Sequence, residues 1–433
     1  MKSVLNFFSN KKVLIYGLGK SGLSTLKFLR NKCEVYAYDD FAIKINSANL
    51  KKNLINLNKV SKLRFDQIIL SPGIDIDNCK LSRFLKINKA KIYTDLDIFY
   101  LFNRNYSITI TGTNGKSTTC KLLYEVLRKQ KFDVKLVGNI GRPILSVNNI
   151  KKKTIFVIEA SSYQLDYSKV FRSNCAAILN ISPDHIERHK TVKRYVKAKF
   201  KLLKNQLKED LAFIKKDDSL INKELKSSKI KSQIIKVDTK RKNKFFNHIN
   251  NRYFLNETNI ENLLFVLSIS KKLKLKKKQL LNTIQNFKGL KYRQQIIFNK
   301  KNLTIINDSK STSFSSSVGA LKMYPNIFWL IGGIPKKGDK FALSRKYFKK
   351  VRAFTYGKQS YFFNRQLKNK IKVESFKNLK DALGNIFKLL DKEKSIDKTI
   401  LFSPSAASFD GFRNFEDRGL YFDKLVKKYL NGK

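Results

Sequence analysis

Cysteine, histidine and acid are the scarce residues of this 433-residue chain. Its four cysteines, Cys33, Cys79, Cys120 and Cys175, stand far apart with no C-x-x-C pair, which excludes a disulfide-stapled secreted scaffold and fits a reduced, cytoplasmic protein. Only three histidines occur, and two of them, His185 and His189, form H-x-x-x-H without the glutamate of H-E-x-x-H and without an evident third ligand. That pattern argues against catalytic zinc. No apolar run approaches the roughly 18–20 residues of a membrane span, and the N-terminal V-L-N-F-F patch is too short and lacks a small-residue cleavage site, so no membrane insertion is expected. Acid is outnumbered, with 33 Asp and Glu against 90 Lys and Arg for a formal net charge of +57, a balance that points on its face to nucleic acid or an anionic membrane. The lysines are nevertheless scattered, with short runs such as Lys151–Lys153 and Lys276–Lys278 and no aromatic ladder between them. Solvated faces are the expectation, with no dedicated nucleic-acid partner.

What is present is a globular composition. Hydrophobic content of 42%, with 33 Phe and 18 Tyr, excludes a wholly disordered chain, and the length implies two or three domains. The stretch around which the rest is organised is Ser107–Thr119, S-I-T-I-T-G-T-N-G-K-S-T-T. A β-rich run feeds the turn Gly112, Thr113, Asn114, Gly115, and an amphipathic helix continues from Lys116 to about Lys129. Strand, glycine turn and helix start make an anion site, because backbone N–H groups can close on phosphate oxygens at the positive end of a helix. Lys116 would reach the terminal phosphates, and Ser117 or Thr118 would offer a hydroxyl to Mg²⁺. Ile110 stands where the first glycine of G-x-x-x-x-G-K-[ST] belongs, so Gly112 and Gly115 carry the turn. An ATP site is the reading.

Upstream, the buried-strand run Lys12–Tyr16 leads into Gly17-Leu18-Gly19-Lys20-Ser21-Gly22 ahead of a helix expected over Leu23–Arg30. A second strand, Glu34–Tyr38, ends at Asp39-Asp40, where a Rossmann unit places the acid that meets a ribose. Either an NAD cofactor or the pyrophosphate of a nucleotide sugar suits this loop. Ser71-Pro72-Gly73 follows the apolar strand Gln67–Leu70, at the strand end where open α/β sheets bind ligands.

Downstream, Val134–Val137 is expected to be a strand entering Gly138-Asn139-Ile140-Gly141, and Thr154–Ile158 another delivering Glu159. An acid after an apolar strand, beyond a phosphate loop, is the arrangement that holds nucleotide Mg²⁺; capping the next helix is its plainer role. Cys175–Ile181 is the next expected strand, before Ser182-Pro183-Asp184-His185, and a helix over Thr191–Asn205 puts Tyr195 and Lys199 on one face. In the last third, strands expected at Leu303–Ile306, Ile327–Ile331, Ala353–Tyr356 and Thr399–Phe402 alternate with helical stretches, the mark of a parallel sheet wrapped by helices.

Taken in order, G-T-N-G-K-S-T, G-N-I-G, E-A-S-S-Y-Q-L and N-I-S-P-D-H-I-E-R-H resemble the Mur ligase family of ATP-dependent amino-acid ligases. G-L-G-K-S-G, the S-P-G loop, N-D-S-K-S-T at Asn307–Thr312 and S-P-S-A-A-S-F-D-G-F-R-N-F-E-D-R-G at Ser403–Gly419 resemble its D-glutamate-adding branch. The resemblance implies an α/β protein of three domains: a Rossmann-like domain over 1–103 for the UDP end of the substrate, a central P-loop ATPase-type domain over 104–297, and a Rossmann-like domain over 298–433 for the amino acid. It implies ATP-dependent addition of D-glutamate to UDP-N-acetylmuramoyl-L-alanine through an acyl phosphate, by a monomer.

The same resemblance assigns residues. Lys116, His185 and Lys199 would be catalytic. Asn259, Asn262, Arg293, Asp308 and Lys310 would join the loop Gly112–Thr118 on ATP. Ser117 and Glu159 would hold a first Mg²⁺; His185 and Lys199, the latter carrying CO₂ as a carbamate, would hold a second. Gly17, Gly19, Lys20, Ser21, Asp39, Ser71, Pro72, Gly73 and Asn139 would contact the UDP substrate, and Thr312, Lys336, Ser408, Phe409 and Phe415 the D-glutamate. The chain departs from the family pattern at Thr258 and Tyr292, where His is usual, and at Ser313, where Asn is.

Overall fold

The structure is a computed structural model that describes residues 8, 10–41, 48–240, 249–254, 257–300, 302–336, 338–392 and 397–431. Most of the N-terminal V-L-N-F-F patch lies outside them. The chain divides into two compact units, Met1–Asn250 with Glu261–Gln285, and Asn251–Ile260 with Asn286–Lys433.

The first unit carries two sheets. In the smaller, β1 (Lys12–Tyr16), β2 (Glu34–Tyr38), β3 (Gln67–Leu70) and β4 (Ile92–Tyr93) lie parallel in the order β2-β1-β3-β4. The chain thus leaves β1 toward opposite sides, and the glycine loop after it opens at that switch point. Helix α1 spans Lys20–Leu29, beginning three residues earlier than the expected Leu23. The early start comes from packing: a Cβ on Gly22 would stand 1.8 Å from the Gly17 carbonyl oxygen, so only glycine lets the helix begin this close to the strand end.

The larger sheet is also parallel, in the order β10-β9-β8-β5-β7-β6, built from β5 (Ser107–Thr111), β6 (Val134–Gly138), β7 (Ile155–Glu159), β8 (Cys175–Ile178), β9 (Leu211–Lys215) and β10 (Gln233–Val237). Strand β5 is buried throughout, flanked on both sides, as a near-continuous apolar parallel strand must be. The fourth strand stops at Ile178 rather than Ile181, because Leu179 and Asn180 turn back onto the phosphate loop. Helices α2 (Asp95–Phe102), α3 (Lys116–Lys129), α4 (Ser162–Tyr167) and α5 (Val192–Lys204) pack around it. Ser161 and Gln164 form a capping box for α4, so Glu159 is left free of capping.

In the second unit the order is β11-β12-β16-β13-β14-β15, from β11 (Gln295–Lys300), β12 (Leu303–Asn307), β13 (Ile327–Gly332), β14 (Val351–Tyr356), β15 (Lys372–Phe376) and β16 (Lys398–Phe402). The four expected strands are here in parallel, but two were not anticipated. One is β15, and the other is β11, which pairs antiparallel with β12 at the edge. Its half-exposed residues, with only Ile296–Phe298 apolar, give a weaker signal than the buried runs beside it. Because β12, β16 and β13 are adjacent, the loops at their C-terminal ends meet. No helix among the described residues is long and apolar enough to cross a membrane.

Candidate functional site

In the first unit the site is built on the loop between β5 and α3. Gly115 takes φ of 84° at the helix start, and a Cβ there would lie 1.9 Å from the Asn262 side-chain oxygen, so glycine is required twice over. Asn180 clamps the turn: its Oδ1 accepts from Asn114 N at 2.9 Å, its Nδ2 donates to Asn114 O at 3.2 Å, and its carbonyl accepts from Thr113 N at 2.9 Å. The Nδ2 also reaches Glu261 at 3.3 Å, and Glu261 in turn pairs with Lys215 at 2.8 Å. Lys116 folds back on the loop, donating to the carbonyls of Gly112 and Thr113 at 2.9 Å each. Ser117 and Thr118 are buried at the first turn.

Glu159 closes β7 beside this loop. One carboxylate oxygen accepts from Asn139 Nδ2 at 2.8 Å; the other is buried without a hydrogen-bond partner. A buried carboxylate oxygen left unpaired is costly, and a cation held there would satisfy it. The buried Asn262 amide likewise has no partner on either atom, as a nucleotide contact would leave it. Among the described residues no three His, Cys, Asp or Glu converge to hold a metal by themselves, so a cation at Glu159 would depend on Ser117 and on the phosphate oxygens of a bound nucleotide.

Lys199 Nζ donates to Gly112 O at 2.8 Å and sits 4.5 Å from the Tyr195 ring centre. Burial, with the Lys116 ammonium as the second cause, drives its amine well below the usual lysine range, against the pull of Asp184 and Glu159. Tyr195 bonds Thr113 Oγ1 at 3.1 Å. His185, in a left-handed conformation with φ of 54°, faces Tyr163 through Nδ1 at 2.8 Å and lies 3.4 Å from Asp184 through Nε2. His189 is buried instead, hydrogen-bonded to Ser162 Oγ at 3.0 Å.

The loop after β1 is held from both sides. Ser71 Oγ donates to Gly17 O, and Asp39 accepts from Leu18 N, both at 2.6 Å. Asp39 therefore shapes the loop with one oxygen while the other accepts from Phe41 N at 3.0 Å. Gly19, Lys20 and Gly73 are exposed, Ser21 and Pro72 half-buried. Ser21 bonds the buried Asp95, which Gln164 also approaches at 3.4 Å. Arg188 reaches the Ile74 carbonyl just past Gly73, and lies over the rings of Tyr163 and Tyr167.

In the second unit, Asp308 is buried at the end of β12, accepting from Ser403 Oγ at 2.8 Å and Gln294 N at 3.1 Å. Burial pushes its carboxyl up to about 7, against those bonds and the charges of Arg293 and Arg418. Lys310 lies 3.9 Å over the Phe415 ring. Thr312 and Lys336 are exposed, Ser408 is buried, Phe415 half-buried and Phe409 72% exposed. Arg418 is fully buried and ties the loops together through Ser309 O at 2.7 Å and Ala406 O at 2.9 Å. Tyr292, at φ of 61°, packs its ring on Gly419, while Thr258 is exposed. Asn259 bonds Tyr253 O at 2.7 Å.

Asn180, Arg188 and Arg418 lie inside motifs that sequence reading singled out, yet received no role there. Their spacing carried the only signal, and their partners are distant in the chain.

Two family descriptions match: "Mur ligase MurD-like, N-terminal domain" over residues 11–92 and "Mur ligase middle domain" over 110–282. A UDP-N-acetylmuramoylalanine--D-glutamate ligase of Rickettsia felis is 32% identical, covering 98% of this chain and 99% of its own. The protein of the same name from Rickettsia prowazekii is 34% identical over 98% of this chain and 100% of its own. Among solved structures, a MurF ligase of Thermotoga maritima in complex with ADP shares the fold with a TM-score of 0.57 at 15% identity, over 99% of this chain and 100% of that one. With a phosphate-type loop, Glu159 and the buried Lys199 gathered around one sheet, and relatives alike from end to end, the chain belongs to the Mur ligase family.

Proposed function

We propose that this chain joins D-glutamate to UDP-N-acetylmuramoyl-L-alanine with conversion of ATP to ADP and phosphate, in the cytoplasmic synthesis of peptidoglycan precursors. The observation that carries this reading is the end-to-end likeness to relatives named for that reaction. Three domains divide the work among UDP substrate, ATP and amino acid, in a monomer, the last of them taking in the whole of β11 from Gln295 rather than beginning at 298.

The chemistry asks for activation, since a carboxylate is a poor electrophile at neutral pH. The alanyl carboxylate attacks the γ-phosphate, and the acyl phosphate is captured by the amine of D-glutamate. The backbone of Gly112–Gly115 and the start of α3 cradle the phosphates, and Lys116 leaves its loop carbonyls to meet the terminal one. Ser117 and the unpaired oxygen of Glu159 would hold a first Mg²⁺, whose charge would offset that gathering between phosphate and carboxylate. His185 and Lys199 would hold a second. An ammonium cannot ligate a cation, but a buried neutral amine adds CO₂ and loses a proton to become a carbamate, a carboxylate on a long arm. Asn262 meets the nucleotide, with Asn259, Arg293 and Lys310 as further contacts; Asp308, buried with both carboxylate oxygens already bonded, is not among them. Asn139 and the loops at Gly17–Ser21 and Ser71–Gly73 take the UDP substrate, and Asp39 keeps the first of these in shape. Thr312, Lys336 and Ser408 meet the two carboxylates of D-glutamate, between Phe409 and Phe415.

Phosphate release from ATP, measured with Mg²⁺ and UDP-N-acetylmuramoyl-L-alanine, tests this directly. Release is expected with D-glutamate and not with L-glutamate, L-lysine or no amino acid. If another amino acid sustains it, the branch is wrong; if none does in folded protein, the reaction is.

A further inference from the structure

The attacking group raises a problem that the site residues above leave open. D-glutamate arrives as an ammonium, which has no lone pair, so a proton must leave before the nitrogen can bond to carbon. The second unit contains an unusual feature at the same loops: a continuous row of serine hydroxyls. Ser316 Oγ lies 2.8 Å from Ser311 Oγ, Ser311 Oγ 2.7 Å from Ser317 Oγ, and Ser317 Oγ 2.7 Å from Ser403 Oγ, which donates at 2.8 Å to a carboxylate oxygen of Asp308. Ser405 joins as a side branch, 2.6 Å from Ser317. Each separation is near the optimum for hydroxyl hydrogen bonds, and in the three links between hydroxyls either oxygen can donate. A row that can point either way can pass a proton along.

Its two ends differ. Ser316 is exposed and four residues from Thr312, its hydroxyl donating to the Ser313 carbonyl at 2.6 Å until it turns inward to Ser311, while Ser311, Ser317, Ser403 and Asp308 are buried. The interior end is fixed in place, because Trp329 Nε1 donates to the Ser403 carbonyl at 2.7 Å, leaving the Ser403 hydroxyl to Asp308. The charged groups facing Asp308 are Arg293 and Arg418. With its carboxyl held up to about 7 by burial, Asp308 can take a proton and return it near neutral pH.

We propose that the row Ser316–Ser311–Ser317–Ser403 carries the proton released by the incoming ammonium to the carboxylate of Asp308. This rests on the ligase reading above. In balance, one proton passes from nitrogen along the row to Asp308, and the freed lone pair forms the C–N bond. The C–O bond to phosphate breaks, the phosphate leaves with that electron pair, and it takes the second proton from nitrogen. Asp308, which is buried, then returns its proton outward along the same row to solvent at the exposed Ser316.

The test is Ser317→Ala, which opens the row between Ser311 and Ser403. Turnover with D-glutamate near pH 7 should fall roughly 10²-fold, recover as pH rises toward the pKa of the amine itself, and leave the KM for D-glutamate unchanged. Hydroxylamine, which is a free base at neutral pH, needs no such relay; trapping of the acyl phosphate as hydroxamate should continue at the wild-type rate. Ser317→Thr, which keeps a hydroxyl, should restore D-glutamate turnover. Equal loss with both amines, a change confined to KM, or unchanged turnover would overturn the relay. Absence of hydroxamate from the wild-type protein would instead overturn the ligase reading. If Ser317→Ala does not fold, Ser311→Ala breaks the same row one hydroxyl further out and is read by the same outcomes.

Discussion

The phosphate loop of the first unit and the serine-lined loops of the second solve opposite problems. Around Gly112–Thr118 the protein leaves polar groups incomplete: one oxygen of Glu159 and both amide atoms of Asn262 are buried without partners. Around Asp308 and Ser317 the side-chain hydroxyls are bonded to one another over and over. The first arrangement leaves room for a charged ligand to satisfy it; in the second the hydroxyls satisfy one another, and the unpartnered atom there is the buried Nη1 of Arg418. Glu159 and Asn262 thus stand beside the loop with capacity left for a ligand, whereas the serine hydroxyls spend theirs on one another.

That contrast can be broken at several points. The largest effect is expected at Lys116→Ala and Glu159→Gln, each lowering kcat by at least about 10²–10³-fold; because Glu159→Gln replaces an unpaired buried carboxylate, its thermal stability without ligand should hold or rise even as activity is lost. A variant that lost stability along with activity would show that Glu159 is a structural acid. Next comes Lys199→Met, expected to weaken Mn²⁺ binding in the presence of a nonhydrolysable ATP analogue by roughly 10–100-fold, the range for losing a group that supports a metal. Titration followed by electron paramagnetic resonance reads this, and unchanged binding would separate Lys199 from the cation.

Asp308→Asn sharpens the comparison from the other side. The folded carboxyl titrates at about 7 against an ordinary value of 3.8, so between these values the folded state holds more protons than the unfolded one. Stability conferred on the protonated form is then present at low pH and lost as pH climbs from about 4 to about 7. Asparagine should remove that loss, on the order of a few kcal/mol at neutral pH, and urea midpoints taken across this window should be flatter than in the wild type. Smallest is Phe409→Ala: with the ring 72% exposed, stability should stay within about 0.5 kcal/mol, and any change should appear as a raised KM for D-glutamate alone.

Much of the first unit was legible because its chemistry is local. The loop Gly112–Thr118 is contiguous, its strand is a buried apolar run, and glycines at the switch points of β1 and β5 follow from backbone sterics. What escaped is long-range. Asn180 holds Asn114 from 66 positions away, and Ser317 meets Ser403 across 86; neither partner can be inferred from spacing. The antiparallel edge β11 escaped for another reason, since its apolar run is only Ile296–Phe298 and the strand lies half-exposed. Asp39 stands at the position expected for a ribose contact, but its orientation toward Leu18 N depends on the closed loop rather than on the sequence distance.

The most direct test of the division between an activating site and an accepting one follows oxygen. With both oxygens of the alanyl carboxylate labelled as ¹⁸O, activation at the phosphate loop should transfer one labelled oxygen into the inorganic phosphate released when D-glutamate is added, the other remaining in the amide. Phosphate free of label, with amide formed at the normal rate, would contradict phosphoryl activation of the carboxylate and with it the role assigned to Lys116 and Glu159.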